Sequence, residues 1–398
     1  MRRMFSMHLL AFGLCVPLVL AAPTASSQFQ LPPDLGPKKL KLVRAHAINI
    51  STHSWELGTL AEALTELEWP QLGVFGPGSI PPPTRLNKGE AKDVLSIAEN
   101  VVAHKPPGLP LIDGDGAVGD PASLGVAVLL RNWTLPSYEG SCFGTAASEQ
   151  LDYLLHVALR APNGAISQRV SQVQLWADFV YMAPPFIAYY GALECGHRGE
   201  FLLKTAYEQV KFYREVLFDQ KVGLWRHIDL GQGIDPTHWG TGNAWAAAGA
   251  LRVLATIQRS SAVQSMTSQQ VDLVRWVQET LDGVWKHQQP NGTLLNYLDE
   301  PGSFADSSST ALLAATTFRF ASMTGNTTHI PAAIRALRLI RNSVDKHGWL
   351  RNTVNPLLFS APSGPGQHSP EGQSFVLLLE AAVSAWKSSY SYVSPGSE

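Results

Sequence analysis

Helical periodicity recurs along nearly the whole chain and constrains its fold more than any other feature. Apolar residues return at three- and four-residue spacings, as in the segment 151–158, which is typical of amphipathic helices. No credible run of alternating strand residues competes with this pattern, and short β ribbons are expected only in loops such as 223–230. The pattern predicts about eleven helices, near 55–67, 89–104, 122–132, 145–160, 179–193, 199–218, 242–258, 268–288, 308–323, 331–345 and 371–388.

Turn-rich connections divide these helices into recurring pairs. The connections hold the Gly and Pro residues, and they lie at 73–83, 106–121, 231–242, 290–302 and 360–370. A spacing of about 30 residues between helices suggests stacked helical hairpins, which form either an open α-solenoid or a closed ring. A solenoid normally shows a clear sequence repeat, and none is visible here. We therefore predict an all-α fold, an (α/α)6 barrel of six helical hairpins that forms a single catalytic domain over residues 41–398.

The N-terminus has the pattern of a secretory signal peptide. Met1–Ala22 begins with the basic residues Arg2 and Arg3 and continues with an apolar core from Leu9 to Leu20. This apolar run is shorter than the roughly 20 residues that span a membrane. Residues 23–40 are rich in Pro and polar side chains and predict a flexible segment. The mature chain is therefore expected to be secreted, without a membrane partner.

Composition and charge narrow the classes of partner. The chain has 398 residues, of which 45% are hydrophobic and 16% charged, so it is globular. A net charge of −2 gives no broad attraction for nucleic acid. Cys142 and Cys195 remain after removal of the signal, and a disulfide or two separate thiols are both compatible with the sequence. N-glycosylation sequons occur at Asn49, Asn132, Asn291 and Asn326.

No cofactor or metal site is predicted. The chain contains no Cys/His spacing typical of zinc. The segment 113–116, Asp-Gly-Asp-Gly, lacks the later acidic ligands of an EF-hand calcium loop. The protein is expected to act as a monomer without a cofactor.

One carboxylate, Asp178, lies in an otherwise almost wholly apolar and aromatic run, 174–186. A charge in such surroundings is costly unless it is paired, hydrogen-bonded or protonated. Pro184 and Pro185 follow closely, and proline is tolerated mainly in the first turn of a helix. Asp178 is therefore expected at a turn or a broken helix start. There it is either a helix cap or a functional acid.

Further polar clusters lie where long loops meet predicted helix starts. This arrangement suggests a ring of helix starts around one pocket. Each cluster also has a structural interpretation: His227 can be a core histidine, Asp306 an N-cap and Glu371 a first-turn acid. Asn243 can be a cap with Trp245 in the core. The clusters are 113–120, 223–227 with 238–245, 304–310, and 368–373.

Three of these motifs resemble those of the unsaturated rhamnogalacturonyl hydrolases, glycoside hydrolase family 105, and in particular its secreted fungal members. They read QLWADFVYMAPP at 174–185, GLWRH at 223–227 and WGTGNAW at 239–245, and DSSSTA at 306–311 is similar to a fourth family motif. The resemblance extends from about residue 50 to the C-terminus. It implies an (α/α)6 barrel, in agreement with the helix pattern.

The resemblance also implies an activity and a set of site residues. The family removes a 4,5-unsaturated galacturonyl residue from the end of a rhamnogalacturonan fragment, and its catalytic aspartate corresponds to Asp178. Thr241 stands where the family often has an arginine, which leaves Arg169 and Arg226 as candidates to bind the substrate carboxylate. The predicted substrate-binding residues are Asp115, Asp120, Arg169, Trp176, Met182, Trp225, Arg226, His227, Trp239, Thr241, Asn243 and Trp245.

A single acid suits this chemistry. Ordinary glycosidases need two carboxylates, whereas an unsaturated uronide can be protonated at C4 and hydrated at C5 by one carboxyl group. Three alternatives stay open from the residues alone. The uronate can be glucuronyl, or Asp178 can pair with Asp306 or Glu371 in a conventional hydrolase, or the protein can bind glycans without catalysis.

Overall fold

A computed structural model describes residues 29–82, 86–87, 89–134, 137–194 and 196–391. The predicted signal peptide, Met1–Ala22, lies outside the described residues. So does Cys195, and with it the predicted alternatives for Cys142 and Cys195. None of the described helices is long and apolar enough to cross a membrane.

The described residues contain thirteen α-helices, and each of the eleven predicted segments overlaps at least one of them. The segment 179–193 is divided into two helices at Ala183, just before the double proline. The helices are α1 (Pro37–Ile50), α2 (Ser54–Glu68), α3 (Lys92–His104), α4 (Gly125–Thr134), α5 (Ser137–Asp152), α6 (Phe179–Met182), α7 (Pro184–Glu194), α8 (Gly196–Leu217), α9 (Gly240–Arg259), α10 (Thr267–Val284), α11 (Ser307–Thr324), α12 (Ile330–Ser343) and α13 (Pro370–Ser391).

Helix α1 was not predicted, and its first residues lie in the segment expected to be flexible. Pro37 is the first residue of this helix, a position where proline's fixed φ and missing N–H are tolerated. Phe29 packs its ring edge against Trp386 at 5.9 Å. Arg341 donates from Nη1 to the carbonyl oxygen of Pro32 at 2.8 Å. Residues 29–40 therefore pack against the helices, which corrects that part of the prediction for 23–40.

The helices form a closed double ring. When α6 and α7 are counted as one broken helix, α1–α13 make six hairpins. The inner ring is α2, α4, α6–α7, α9, α11 and α13; each packs on the next, and α13 packs on α2. The outer helices α1, α3, α5, α8, α10 and α12 each cover an inner neighbour. This closure confirms the predicted (α/α)6 barrel.

Sequence composition explains which helices lie inside. Every residue of α9 from Gly240 to Ile257 is buried, because its run of small and apolar residues has no polar face. Two buried ion pairs cross the barrel interior from α2: Glu62 with Arg252 at 2.8 Å, and Glu66 with Arg319 at 2.7 Å. Because each charge is paired, the cost of burying it is offset.

Four antiparallel two-stranded ribbons lie in the loops that lead into the inner helices. Two of them include strands within 223–230, where the sequence left room for a short ribbon. The pairs are β1 (Leu175–Trp176) with β4 (Ile228–Asp229), β2 (Phe218–Asp219) with β3 (Leu224–Trp225), β5 (Leu294–Leu295) with β6 (Ala305–Asp306), and β7 (Val354–Asn355) with β8 (Leu358–Pro362). β1 ends just before Asp178 and β6 ends at Asp306, so these ribbons fix the entries of α6 and α11.

The four predicted N-glycosylation sites differ in exposure. Asn49 and Asn291 are exposed, whereas Asn132 and Asn326 are half-buried. The side-chain amide of Asn326 also donates to Gln278 at 2.6 Å. Because a glycan needs an accessible asparagine amide, Asn49 and Asn291 are the better placed acceptors.

Candidate active site

The polar clusters come together where the inner helices begin. Side chains from neighbouring helix starts are linked by hydrogen bonds. The hydroxyl of Ser54 donates to Asp115, and the indole N–H of Trp55 donates to Glu371 at 2.7 Å. Helix N-termini carry partial positive charge, which favours carboxylates at this end of the barrel. The inner helices begin at this end of the barrel, each at or shortly after one residue. These residues are Ser54, Asp120, Asp178, Trp239, Asp306 and Pro370.

Asp178 immediately precedes α6 but does not cap it with its side chain. Its side chain is 15% exposed, and its Oδ2 atom is buried without a hydrogen-bond partner among the described residues. Burial raises the pKa of Asp178, and the nearby charge of His227 opposes part of that rise. The side chain therefore makes no capping hydrogen bond, and its burial favours the protonated form.

His227 lies beside Asp178 in an aromatic enclosure. Its ring packs against Trp239 at 4.5 Å and against Trp176 at 5.5 Å between centroids. Nε2 lies 3.6 Å from Asp178 Oδ2, and Nδ1 lies 2.9 Å from Asp235 Oδ2. His227 is thus a buried histidine, as its structural interpretation expected, and it lies between two carboxyl groups.

Asp115 and Asp120 are two further carboxyl groups at this end of the barrel, and the charges of Asp115 and Asp178 both act on Asp120. Asp120 opens a short 3-10 turn ahead of α4, and its Oδ1 accepts a hydrogen bond from Gln168 Nε2 at 2.8 Å. Burial raises the pKa of Asp120 to about 7; the Gln168 hydrogen bond opposes this rise, and the charges of Asp115 and Asp178 add to it. Asp120 can therefore accept or donate a hydrogen bond to a sugar hydroxyl or a water near neutral pH.

Asp306 is the N-cap of α11 and is fully buried. Its carboxylate accepts from Ser308 N at 2.9 Å, Ser309 N at 2.9 Å, Val354 N at 3.0 Å and Thr241 Oγ1 at 3.2 Å. Four donors leave this carboxylate no capacity for substrate. Its interpretation as a helix cap is confirmed, and a two-carboxylate mechanism that pairs Asp178 with Asp306 loses its support.

Glu371 is also buried, at the first turn of α13. It is 5% exposed, and it receives the hydrogen bond from Trp55. Burial raises the pKa of Glu371 to about 8, and the nearby Glu56 carboxyl adds to the rise. Glu371 is therefore largely protonated at neutral pH and does not act there as a carboxylate base or nucleophile. The sequence placed Trp55 and Glu56 in a predicted helix but gave no signal that they meet Glu371.

Replacing Glu371 with Gln should make stability less dependent on pH. The pKa in the folded chain, about 8, exceeds the ordinary value of 4.5, so the stability gained from the bound proton is complete below about pH 4.5 and is lost as pH rises towards 8. Gln stays neutral throughout. Relative to the wild type, Glu371→Gln should be more stable at pH 8 by up to about 4 kcal/mol, with little difference near pH 4.5, as measured by chemical unfolding.

Glu200→Gln on the exposed face of α8 is the control for this stability measurement and should follow the wild type at every pH. A Glu371→Gln variant whose stability declines with rising pH in parallel with the wild type would show that Glu371 is ionised in the folded protein.

Several predicted sugar-binding residues are instead parts of the protein interior. Trp225 donates from its indole N–H to Thr280 at 3.0 Å, and Trp245 packs against Tyr181 at 4.4 Å. The side chain of Asn243 bonds the backbone N and O of Trp225 at 2.7 and 2.9 Å. None of Trp225, Trp245 and Asn243 is more than 2% exposed, so these side chains present almost no surface to a sugar.

Met182 and Thr241 are corrected in the same way. Met182 is 2% exposed and belongs to the core. Thr241 is fully buried, and its hydroxyl is used by Asp306. A threonine in this position cannot replace the arginine that family 105 often has, because it is neutral and faces inward.

The two candidate arginines differ in their surroundings. Arg226 lies between Asp219 at 3.8 Å and Asp229 at 3.6 Å, so its charge is already balanced. Arg169 lies over the ring of Trp176, with its guanidinium carbon 5.8 Å from the ring centroid. Arg169 therefore lies next to the half-buried Trp176, two residues before Asp178. Arg226 instead forms ion pairs with carboxylates outside the candidate site.

Comparison with known proteins supports this interpretation of fold and site. The model of glycosyl hydrolase family 88 matches residues 134–354, more than half of the chain. The barrel and this match together define a glycosidase of the six-hairpin class. The chain belongs to glycosyl hydrolase family 88, within the grouping that also contains family 105. No curated protein matched it.

Solved structures with the same barrel come from several bacteria. A possible family 105 member from Klebsiella pneumoniae shares 15% identity over 95% of this chain and 99% of that chain, with a TM-score of 0.71. One from Salmonella enterica shares 17% identity over 87% and 92%, with a TM-score of 0.67. An unsaturated glucuronyl hydrolase from Bacillus sp. GL1, responsible for glycosaminoglycan degradation, shares 12% identity over 87% and 94%, with a TM-score of 0.58. At these identities the similarity shows the fold.

Proposed function

We propose that the protein is a secreted hydrolase that removes a terminal 4,5-unsaturated galacturonyl residue from rhamnogalacturonan fragments. Membership of family 88 supports a hydrolase that acts on unsaturated uronides. The observation that carries the proposal is Asp178, a shielded carboxyl group with an unpartnered oxygen and no capping role. The motifs at 174–185 and 239–245, which resemble family 105, support the galacturonyl and rhamnose specificity.

The reaction needs one proton donor that becomes a base. Protonated Asp178 gives its proton to C4 of the C4=C5 vinyl ether, and an oxocarbenium ion forms at C5. Water adds to C5 and returns a proton to the Asp178 carboxylate. The resulting hemiketal opens to a C5 ketone, and the hemiacetal left at C1 then releases the remaining sugar. Asp178 ends the cycle protonated, so the proton balance closes.

The surrounding residues support a single-acid reaction. The raised pKa of Asp178, caused by its burial, favours the protonated form that the first step requires. Asp306 is committed to four donors, and Glu371 is protonated at neutral pH. A conventional displacement that uses Asp306 therefore loses its support. One that used Glu371 as the acid would need Asp178 as the carboxylate, against the raised pKa of Asp178. Asp120 is placed to orient the attacking water or a sugar hydroxyl.

A second candidate is an unsaturated glucuronyl hydrolase that acts on another lyase-cleaved polysaccharide. Thr241 favours it, because the arginine that often occurs in family 105 is absent and the substrate carboxylate is then bound differently. The Bacillus structure with the same fold carries that activity in its name.

A panel of unsaturated disaccharides tests the proposal. The panel varies the uronate between galacto- and gluco-configuration, and the second sugar between rhamnose and other residues, with saturated counterparts as controls. We expect the fastest loss of C=C ultraviolet absorbance with unsaturated galacturonyl-rhamnose and no turnover of saturated substrates. Faster turnover of a glucuronyl substrate would support the second candidate, and cleavage of saturated substrates would contradict both.

Secretion needs a separate test. The full chain, expressed with its own N-terminus in a eukaryotic host, should be recovered from the medium without residues Met1–Ala22. Retention of these residues on an intracellular product would contradict that part of the proposal.

A further inference from the structure

His227 is held by its backbone beside the candidate acid. It lies between β3 and β4, and Ala177 N donates to its carbonyl oxygen at 2.9 Å. Its ring is 1% exposed, and it packs against Phe359 at 4.4 Å as well as against the tryptophans described above. Dense packing of this kind leaves the imidazole little freedom to turn.

Asp235 determines which ring nitrogen of His227 carries hydrogen. Asp235 Oδ2 lies 2.9 Å from Nδ1, and Oδ1 accepts from Thr237 N at 3.1 Å. Burial alone would raise the pKa of Asp235, but the hydrogen bonds from His227 and Thr237 outweigh it and lower that pKa. Asp235 is therefore ionised at neutral pH. Because an ionised carboxylate only accepts hydrogen bonds, the hydrogen must lie on Nδ1.

Two buried polar atoms face each other on the other side of the ring. His227 Nε2 and Asp178 Oδ2 are 3.6 Å apart, and neither has a hydrogen-bond partner among the described residues. Leaving two such atoms unpaired is costly. Catalytic hydrogen bonds are often long before substrate binds and shorten afterwards. One hydrogen shared between Nε2 and Oδ2 would satisfy both atoms at once.

We propose that Asp235 is a positioning residue that keeps the hydrogen of His227 on Nδ1 and so presents Nε2 to Asp178 Oδ2. The proton of Asp178 then lies between Oδ2 and Nε2 before it moves to C4, and Asp235 stabilises the ring from the far side. The kinetic consequence rests on the proposed function, whereas the position of the hydrogen on His227 in the free protein does not.

Other titratable groups act on the same three residues. Asp120, Glu371 and Tyr213 interact electrostatically with Asp178, and Tyr297 interacts with Asp235. The aromatic rings in contact with His227 carry no charge. Because the pKa values of Asp120 and Glu371, raised by burial, are about 7 and 8, these residues titrate in the neutral range. A pH–rate profile must therefore be accompanied by a direct measurement on His227.

Asp235→Asn removes the charge and keeps the shape. We expect kcat on an unsaturated uronyl disaccharide to fall about 10- to 100-fold with little change in KM, because the aspartate acts through an oriented histidine. The alkaline limb of the pH–rate profile should move to lower pH. In ¹⁵N NMR of histidine-labelled protein without substrate, with the signals of His227 assigned from His227→Gln, Nδ1 should carry hydrogen in the wild type. In Asp235→Asn the hydrogen should move in part or wholly to Nε2.

Asp299 provides a matched control, since it contacts His238 Nδ1 at 2.7 Å in the same chemical pairing. Asp299→Asn should leave the alkaline limb and the His227 signals unmoved. A neutral His227 with its hydrogen on Nε2 in the wild type would overturn the proposal even if no Asp235 variant folded. An Asp235→Asn enzyme with lower kcat and an unmoved alkaline limb would also overturn it. If the wild type hydrolyses no unsaturated uronide, the proposed function fails, and the NMR titration alone decides the role of Asp235.

Discussion

Asp178→Asn is expected to abolish nearly all turnover, with kcat lower by about 10³- to 10⁴-fold, the upper end for a single general acid–base group. Asn has the same shape but supplies neither the proton for C4 nor the base for water. Because the Asp178 carboxyl is shielded and makes no capping bond, its replacement should leave the unfolding temperature unchanged or raise it, as at other active sites. Loss of C=C absorbance measures turnover, and thermal unfolding measures stability.

Asp152→Asn, on the exposed part of α5, is the control and should keep wild-type kcat. An Asp178→Asn enzyme with turnover close to the wild type would remove Asp178 from the mechanism. A variant that is inactive because it is unfolded would contradict the expected stability.

Gly249→Ala should cause a large loss of stability close to the site. A Cβ atom at Gly249 would lie 2.6 Å from the Cα of Tyr181 and still closer to the carbonyl group of Val180. Alanine gains about 1 kcal/mol of helix propensity over glycine. Overpacking against backbone costs about 1–3 kcal/mol, occasionally more, and α9 cannot move away without opening the inner ring. We expect a net loss of about 2 kcal/mol in the free energy of unfolding, measured with denaturant.

The same substitution should reduce activity, because Val180 and Tyr181 belong to the short helix that follows Asp178. Gly302→Ala is the matched control, since a Cβ atom there meets open space, and it should be neutral. A Gly249→Ala protein as stable as the wild type would mean that α6 and α9 are less closely packed than their geometry indicates.

The fold could be predicted because helix periodicity and helix count are local properties of the sequence. Eleven segments with a three- to four-residue period left room for only a few architectures, and the absence of a repeat favoured closure. Helix α1 was missed because Pro37 was interpreted together with the Pro-rich segment before it. In the structure this proline begins the helix. Composition alone does not separate a helix start from a flexible segment.

The site was predictable where the local sequence was unusual and unpredictable where the contact is distant in sequence. Asp178 was identified because a lone acid in an apolar run is rare. The contact of Glu371 with Trp55 joins residues from opposite ends of the chain, and no local pattern reports it. Trp225 and Trp245 were expected to contact sugar, yet they pack in the interior, because the same aromatic side chains serve cores and sugar sites alike.

The most direct test of the central claim is to follow the reaction in D₂O by NMR, with an unsaturated galacturonyl-rhamnose disaccharide and Asp178→Asn as the blank. Hydration of the C4=C5 bond by Asp178 predicts that the vinyl proton signal at C4 disappears at the rate at which rhamnose is released. One deuteron should appear at C4, on a single face. Release of rhamnose together with a uronate that retains its vinyl proton would contradict the mechanism.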